Sequence, residues 1–88
     1  MPYFSGAQDH HAYVQWVDEH PDGYVVQFNQ STALVLHLAT CGCIRGTPPF
    51  GEVWTNYPKL CDATRTAAIA EARQRSGIAP RPCGRCQP

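Results

Sequence analysis

Two pairs of metal-ligating residue types limit what this chain can fold into more than any other feature. His37-Leu38-Ala39-Thr40-Cys41 is an H-x3-C, and Cys83-Gly84-Arg85-Cys86 is a C-x2-C. Two thiolates at the second spacing, with a small residue between them, can point at one ion in a turn whose backbone amides also face the sulfurs. A C-x-x-C can instead be a redox pair. That use places it where a strand feeds a helix N-terminus, which lowers one thiol pKa. Here the motif follows the last predicted helix, with Pro82 before it and Pro88 beyond it. One imidazole and three thiolates make a closed tetrahedral site, the usual structural zinc arrangement. The pattern therefore predicts one structural Zn2+ held by His37, Cys41, Cys83 and Cys86.

Cys43 leaves a second ligand set open, in which Cys41 and Cys43 join the C-x2-C and His37 is an ordinary strand residue. The position of His37 at the end of a strand, just before the cysteines, favours the imidazole. Cys61, at the end of an apparent strand, reads as a buried small hydrophobe. His10, His11 and His20 lie on or near the first helix and read as surface histidines.

A chain of 88 residues has room for one domain, and small cores of this kind need disulfides, a metal or oligomerisation to be stable. Disulfides come second to metal. The segment Met1-Pro2-Tyr3-Phe4-Ser5-Gly6 lacks the basic flank and apolar run of a secretory signal. The expectation is a soluble cytoplasmic protein, and in that reducing compartment clustered cysteines more often bind metal. The cysteine count of five also leaves one thiol over in any all-disulfide scheme. No stretch is long and apolar enough to span a membrane.

The pattern of elements is α+β. Asp9 can cap a helix over 10–20, with Ala12, Tyr13, Trp16 and Val17 on one face. Pro21-Asp22-Gly23 ends it. Tyr24 to Phe28 and Ala33 to Leu38 read as strands, and the short polar link between them makes an antiparallel hairpin. Residues 41–51 are rich in Gly and Pro and read as a loop. Glu52-Val53-Trp54 reads as a short strand, and Tyr57 to Cys61 as another that Pro58 confines to a sheet edge or to the strand's very start. Asp62 is the expected N-cap of a helix over 63–75, with Gly77 as its C-cap. The apolar face of that helix is mostly alanine plus Ile69, so it should lie close against its neighbour. Residues 78–88, with three prolines, can form neither helix nor central strand.

Formal net charge is zero, yet the charges are segregated along the chain. Residues 1–40 carry Asp9, Asp18, Glu19 and Asp22 and no Lys or Arg. Residues 41–88 carry all seven basic residues against three acidic ones. Such asymmetry points to an anionic partner for one face, though the chain lacks the strongly basic balance of a dedicated nucleic-acid binder. Three thiolates on Zn2+ leave a net charge of about −1, which Arg45 and Arg85 can offset. Nothing in the sequence has the pattern of an enzyme: there is no nucleophile with a nearby base, no phosphate-cradling glycine run and no carboxylate pair at metal-ligand spacing. A closed zinc site also leaves no position open for substrate. Trp16, Trp54, Tyr24, Tyr57 and Phe50 can stack on bases or build the core, and the core is the simpler use.

The tail Arg81-Pro82-Cys83-Gly84-Arg85-Cys86-Gln87-Pro88, with the upstream H-x3-C, resembles the metal-binding domain of the Ada DNA methyl-repair proteins and the small Ada-like zinc modules appended to nucleases and other bacterial proteins. The likeness covers His37 to Pro88. It implies a zinc-stabilised α+β domain of a kind that accompanies DNA-acting proteins. Two departures limit it. The family's methyl-accepting cysteine stands at the first upstream position, which here is His37, so that repair chemistry does not carry over. The stretch from Cys41 to Cys83 is also longer than in the family, with Pro48-Pro49-Phe50 as the apparent insertion.

Together these readings predict a non-enzymatic zinc domain associated with DNA or RNA, with Arg45, Lys59, Arg65, Arg73, Arg81 and Arg85 as phosphate contacts. The alternative is a module that binds a protein partner through its acidic half and exposed aromatics, without nucleic acid.

Overall fold

The computed structural model describes residues 3–30, 33–44 and 57–88. The predicted strand at Glu52-Val53-Trp54 and most of the Gly- and Pro-rich loop lie outside the described residues. The β-branched and aromatic runs form β2 (Tyr24–Gln30) and β3 (Ala33–Leu38), which pair antiparallel with Val25 opposite His37 and Val26 opposite Leu36. The hairpin is as expected, although β2 runs two residues further and carries a bulge between Phe28 and Gln30.

The other side of β2 takes β4 (Lys59–Asp62), also antiparallel, with Val25 opposite Cys61 and Gln27 opposite Lys59. The outer side of β4 takes β1 (Tyr3–Phe4), so β4 is an inner strand. Pro58 tolerates this because it stands just outside the strand, where its missing N–H leaves the ladder intact; its carbonyl accepts from Phe28 N at 3.0 Å. On the far side of β3, β5 (Arg81–Pro82) pairs in parallel, giving a five-stranded mixed sheet in the order β1-β4-β2-β3-β5.

Alternation along the strands divides the core in two. On one face Val26, Leu34, Leu36 and Leu60 pack against Ala68 and Ala72 of α2 (Arg65–Ser76). Both alanines are fully buried, so α2 does lie close on the sheet. On the other face Val25, Val35 and Cys61 pack with Tyr13 and Val17 of α1 (His10–Glu19) and with Ala39, Cys41, Ile44 and Cys83. Each face separately would be too small a core; the sheet shared between them makes one α+β domain.

Three local details differ from the sequence reading. Asp9 stands at the N-cap of α1, but its carboxylate accepts from Ser5 N at 2.9 Å instead of capping the helix. Ala12 is exposed, so the buried stripe of α1 is Tyr13 and Val17. The cap of α2 is Thr64, whose hydroxyl accepts from Ala67 N at 3.2 Å, while Asp62 accepts from Thr64 N one step earlier. Thr64 has the extended backbone that an N-cap needs, whereas Asp62 is still the last residue of β4. Gly77 ends α2 as expected, with a left-handed φ of 75° and its N–H donating to Arg73 O at 2.7 Å.

Candidate metal centre

The four residues singled out by spacing meet at one end of the β3–β5 pair. His37 and Cys41 come from β3 and the turn that follows it. Cys41 N donates to Leu38 O at 2.9 Å, which folds the chain back beneath the strand end. The next residues form a short 3-10 turn, Gly42–Ile44, fixed to α1 by the Tyr13 hydroxyl donating to Ile44 O at 2.9 Å. Cys83 and Cys86 arrive through β5. Arg81 and Pro82 pair with Val35 and Leu36, and Cys83 N donates to Leu36 O at 2.8 Å, which sets the knuckle beside His37.

One ligand atom from each of His37, Cys41, Cys83 and Cys86 lies within 4.8 Å of the other three. A tetrahedral zinc site, with Zn–S near 2.3 Å and Zn–N near 2.0 Å, places its ligand atoms about 3.5–3.8 Å apart. The cluster therefore needs only a contraction of about 1 Å to close on an ion. His37, Cys41 and Cys83 are buried and Cys86 is half-buried. None of Cys41, Cys61, Cys83 and Cys86 is joined in a disulfide.

Two observations show that the donor set fits a metal. First, neither ring nitrogen of His37 has a hydrogen-bond partner, although the residue is only 4 % exposed. A buried polar atom without a partner costs about 1–3 kcal/mol, and a metal bond to one nitrogen removes that deficit. Burial, with the charge of Lys59 second, lowers the imidazole pKa to about 4, so it is neutral and able to coordinate at physiological pH. Second, the knuckle already directs amides at sulfur. Leu38 N donates to Cys86 Sγ at 3.3 Å and Arg85 N to Cys83 Sγ at 3.4 Å. Burial by itself would raise the Cys83 thiol. The backbone N–H groups of Cys86 and Arg85, helped by the Cys86 and Cys41 side chains, outweigh it and bring the thiol down to about 7.

Among the described residues it is His37 that completes this cluster; the all-cysteine alternative turns on the side chain of Cys43, whose backbone lies in the 3-10 turn and whose side chain falls outside the described residues. Cys61 is fully buried, and burial pushes its thiol up to about 12, so it is held as an inert neutral group. Among the outlying histidines, His20 is half-buried, stacks on Trp16 at 4.2 Å and bonds through Nδ1 to Trp16 O at 2.8 Å.

The six basic residues expected to contact phosphate separate into three groups, while the seventh, Arg75, pairs with Glu71 at 3.6 Å. Arg65 and Arg73 on α2, Arg81 on β5 and Arg85 in the knuckle are exposed, and none of the four forms an ion pair with another described residue. Arg45 lies outside the described residues. Lys59 does not reach the surface: it is 2 % exposed, because β4 is covered on both sides and its residues 59 and 61 turn toward α1. It cannot serve as the phosphate contact that the sequence suggested. No helix among the described residues is long and apolar enough to cross a membrane. Comparison of the chain with known protein families, with curated proteins and with solved structures gave no match.

Proposed function

We propose that this chain is a non-enzymatic, zinc-stabilised domain that associates with nucleic acid through a basic surface made by α2 and the C-terminal knuckle. The observation that carries the metal half is the buried N,S,S,S cluster with an unpartnered imidazole. Among divalent ions, a thiolate-rich tetrahedral set suits zinc. Four protein ligands leave no position for water or substrate, so the ion's role here is to hold the β3 end, the 3-10 turn and the knuckle together.

Charge distribution supports the nucleic-acid half. The segregation along the sequence is kept in part in space: α1, with exposed Asp18 and Glu19, covers one face of the sheet, α2, with exposed Arg65 and Arg73, covers the other, and Arg81 and Arg85 come from the edge strand β5 and the knuckle that follows it. The resemblance of the tail to Ada-like modules points the same way. Contacts of this kind bind phosphate without reading sequence. If all four exposed arginines engage, affinity for a duplex should fall by up to about a hundredfold between 50 and 200 mM salt. Fluorescence anisotropy with short DNA and RNA duplexes measures this, and Arg73→Gln with Arg81→Gln should flatten the salt slope. Absence of binding at low salt, or binding indifferent to salt, rejects the nucleic-acid reading. That outcome would favour a protein partner, for which the exposed Tyr57, at 54 %, is a ready anchor.

A further inference from the structure

The core on the α1 side holds a positive charge with no carboxylate partner among the described residues. Lys59 is the chain's only lysine, and it is 2 % exposed. Its ammonium donates to the Tyr57 carbonyl at 2.8 Å and lies 5.8 Å from the centroid of the Tyr13 ring. No acidic side chain among the described residues pairs with it. A buried ammonium in such surroundings is unfavourable unless an anion lies within range. Burial lowers the Lys59 pKa to about 8, with the neighbouring Cys61 acting in the other direction.

The missing anion is on the same face of the sheet. Cys61, Val25 and His37 stand opposite one another across β4, β2 and β3, and Lys59, Gln27 and Val35 form the adjacent row. Two strand spacings and one step of two residues put the Lys59 and His37 backbones on the order of 12 Å apart, less than twice the reach of a lysine side chain. A zinc ion with three cysteinates and a neutral imidazole carries a net charge of −1. Arg85 is exposed and so is screened by water, whereas Lys59 acts through the protein interior.

Resting on the zinc reading above, we propose that Lys59 is the internal counter-cation of the metal–thiolate centre. It is not a ligand. It sets the electrostatic potential in which three cysteinates are retained, as charged groups outside the ligand shell commonly do. The arrangement is reciprocal: the loaded centre supplies a negative charge that no described acidic side chain gives the buried ammonium.

The test compares zinc affinity of the wild type, Lys59→Met, Lys59→Gln and Lys59→Arg by competition with a chromophoric chelator. Cobalt-loaded samples report the ligand set through their thiolate absorption bands. The two neutral variants should bind zinc about tenfold more weakly with the cobalt spectrum unchanged, and Lys59→Arg should stay close to wild type. Equal affinity in the neutral variants, with only their melting temperature altered, overturns the proposal. A second measurement is independent of whether the variants fold. With one lysine in the chain, 13C-lysine labelling gives a single side-chain resonance to follow against pH. In zinc-loaded wild type it should remain that of a charged ammonium beyond pH 10, and deprotonation near pH 8 contradicts the assignment. A wild type that takes up no zinc defeats the zinc reading itself, whereas tight zinc binding indifferent to Lys59 defeats only this inference.

Discussion

Replacing Tyr13 with Phe removes a buried hydrogen bond that ties α1 to the metal-bearing turn. Tyr13 is fully buried and Ile44, whose carbonyl it serves, is 2 % exposed, with the bond at 2.9 Å. The phenyl ring remains in Tyr13→Phe. The edge-on contact with Phe4 at 5.9 Å and the packing against Val17 and Val25 therefore persist. What disappears is a donor to an acceptor that stays buried. An unpaired buried carbonyl costs about 1–3 kcal/mol, offset in part because the phenol no longer has to be dehydrated, so a net loss of about 1–2 kcal/mol is expected. In a domain of this size each kcal/mol moves Tm by about 4–8 °C, giving a fall of roughly 5–15 °C. Thermal and urea melts of the zinc-loaded proteins, followed by circular dichroism, measure it. The urea m-value should not change, because the surface exposed on unfolding is the same. A Tm within about a degree of wild type would mean that the Tyr13–Ile44 bond does not hold the turn.

Two further outcomes follow from the same geometry. Thr64→Ala should destabilise the domain by about 1 kcal/mol and Asp62→Ala by less, since Thr64 makes the capping bond to Ala67 N; equal losses in denaturant melts would restore Asp62 as the cap. Cys61, raised from 9.0 to about 12 by burial, keeps its proton in the fold at pH values where the unfolded chain loses it. Its contribution is therefore complete below pH 9 and declines as pH rises toward 12. The stability advantage of wild type over Cys61→Ala should shrink over that range, and an advantage that is flat or grows with pH would contradict the inert-thiol assignment.

The parts of the fold that were legible in the sequence are those set by local pattern. Ala33–Leu38 was readable as a strand because its apolar, β-branched run is uninterrupted, and α2 because its helix formers end at a glycine. The cluster was readable because two short spacings each fix two ligands near one another. The less legible parts depend on contacts distant in sequence. Nothing local in Tyr3-Phe4 marks a strand; it becomes one only because β4 offers a free edge. That pairing makes β4 internal and buries Lys59, which by composition alone looks like a surface cation. Likewise Arg81-Pro82 is too short to announce itself, yet its parallel pairing with β3 carries the C-x2-C to His37. The signal that was available for Lys59 is its alternation with Cys61 around Leu60, which places it on the same face as a residue already read as buried.

The zinc-held fold is tested most simply by native mass spectrometry of the purified protein before and after chelation, with circular dichroism on the same samples and Cys86→Ser as the control. A zinc-held fold predicts one zinc ion per chain, lost on chelation and in the variant together with folded structure, because the ion joins the β3 end, the 3-10 turn and the knuckle. A protein that carries no metal and keeps its fold in chelator would contradict it, and His37, Cys41, Cys83 and Cys86 would then be neighbours without an ion to hold.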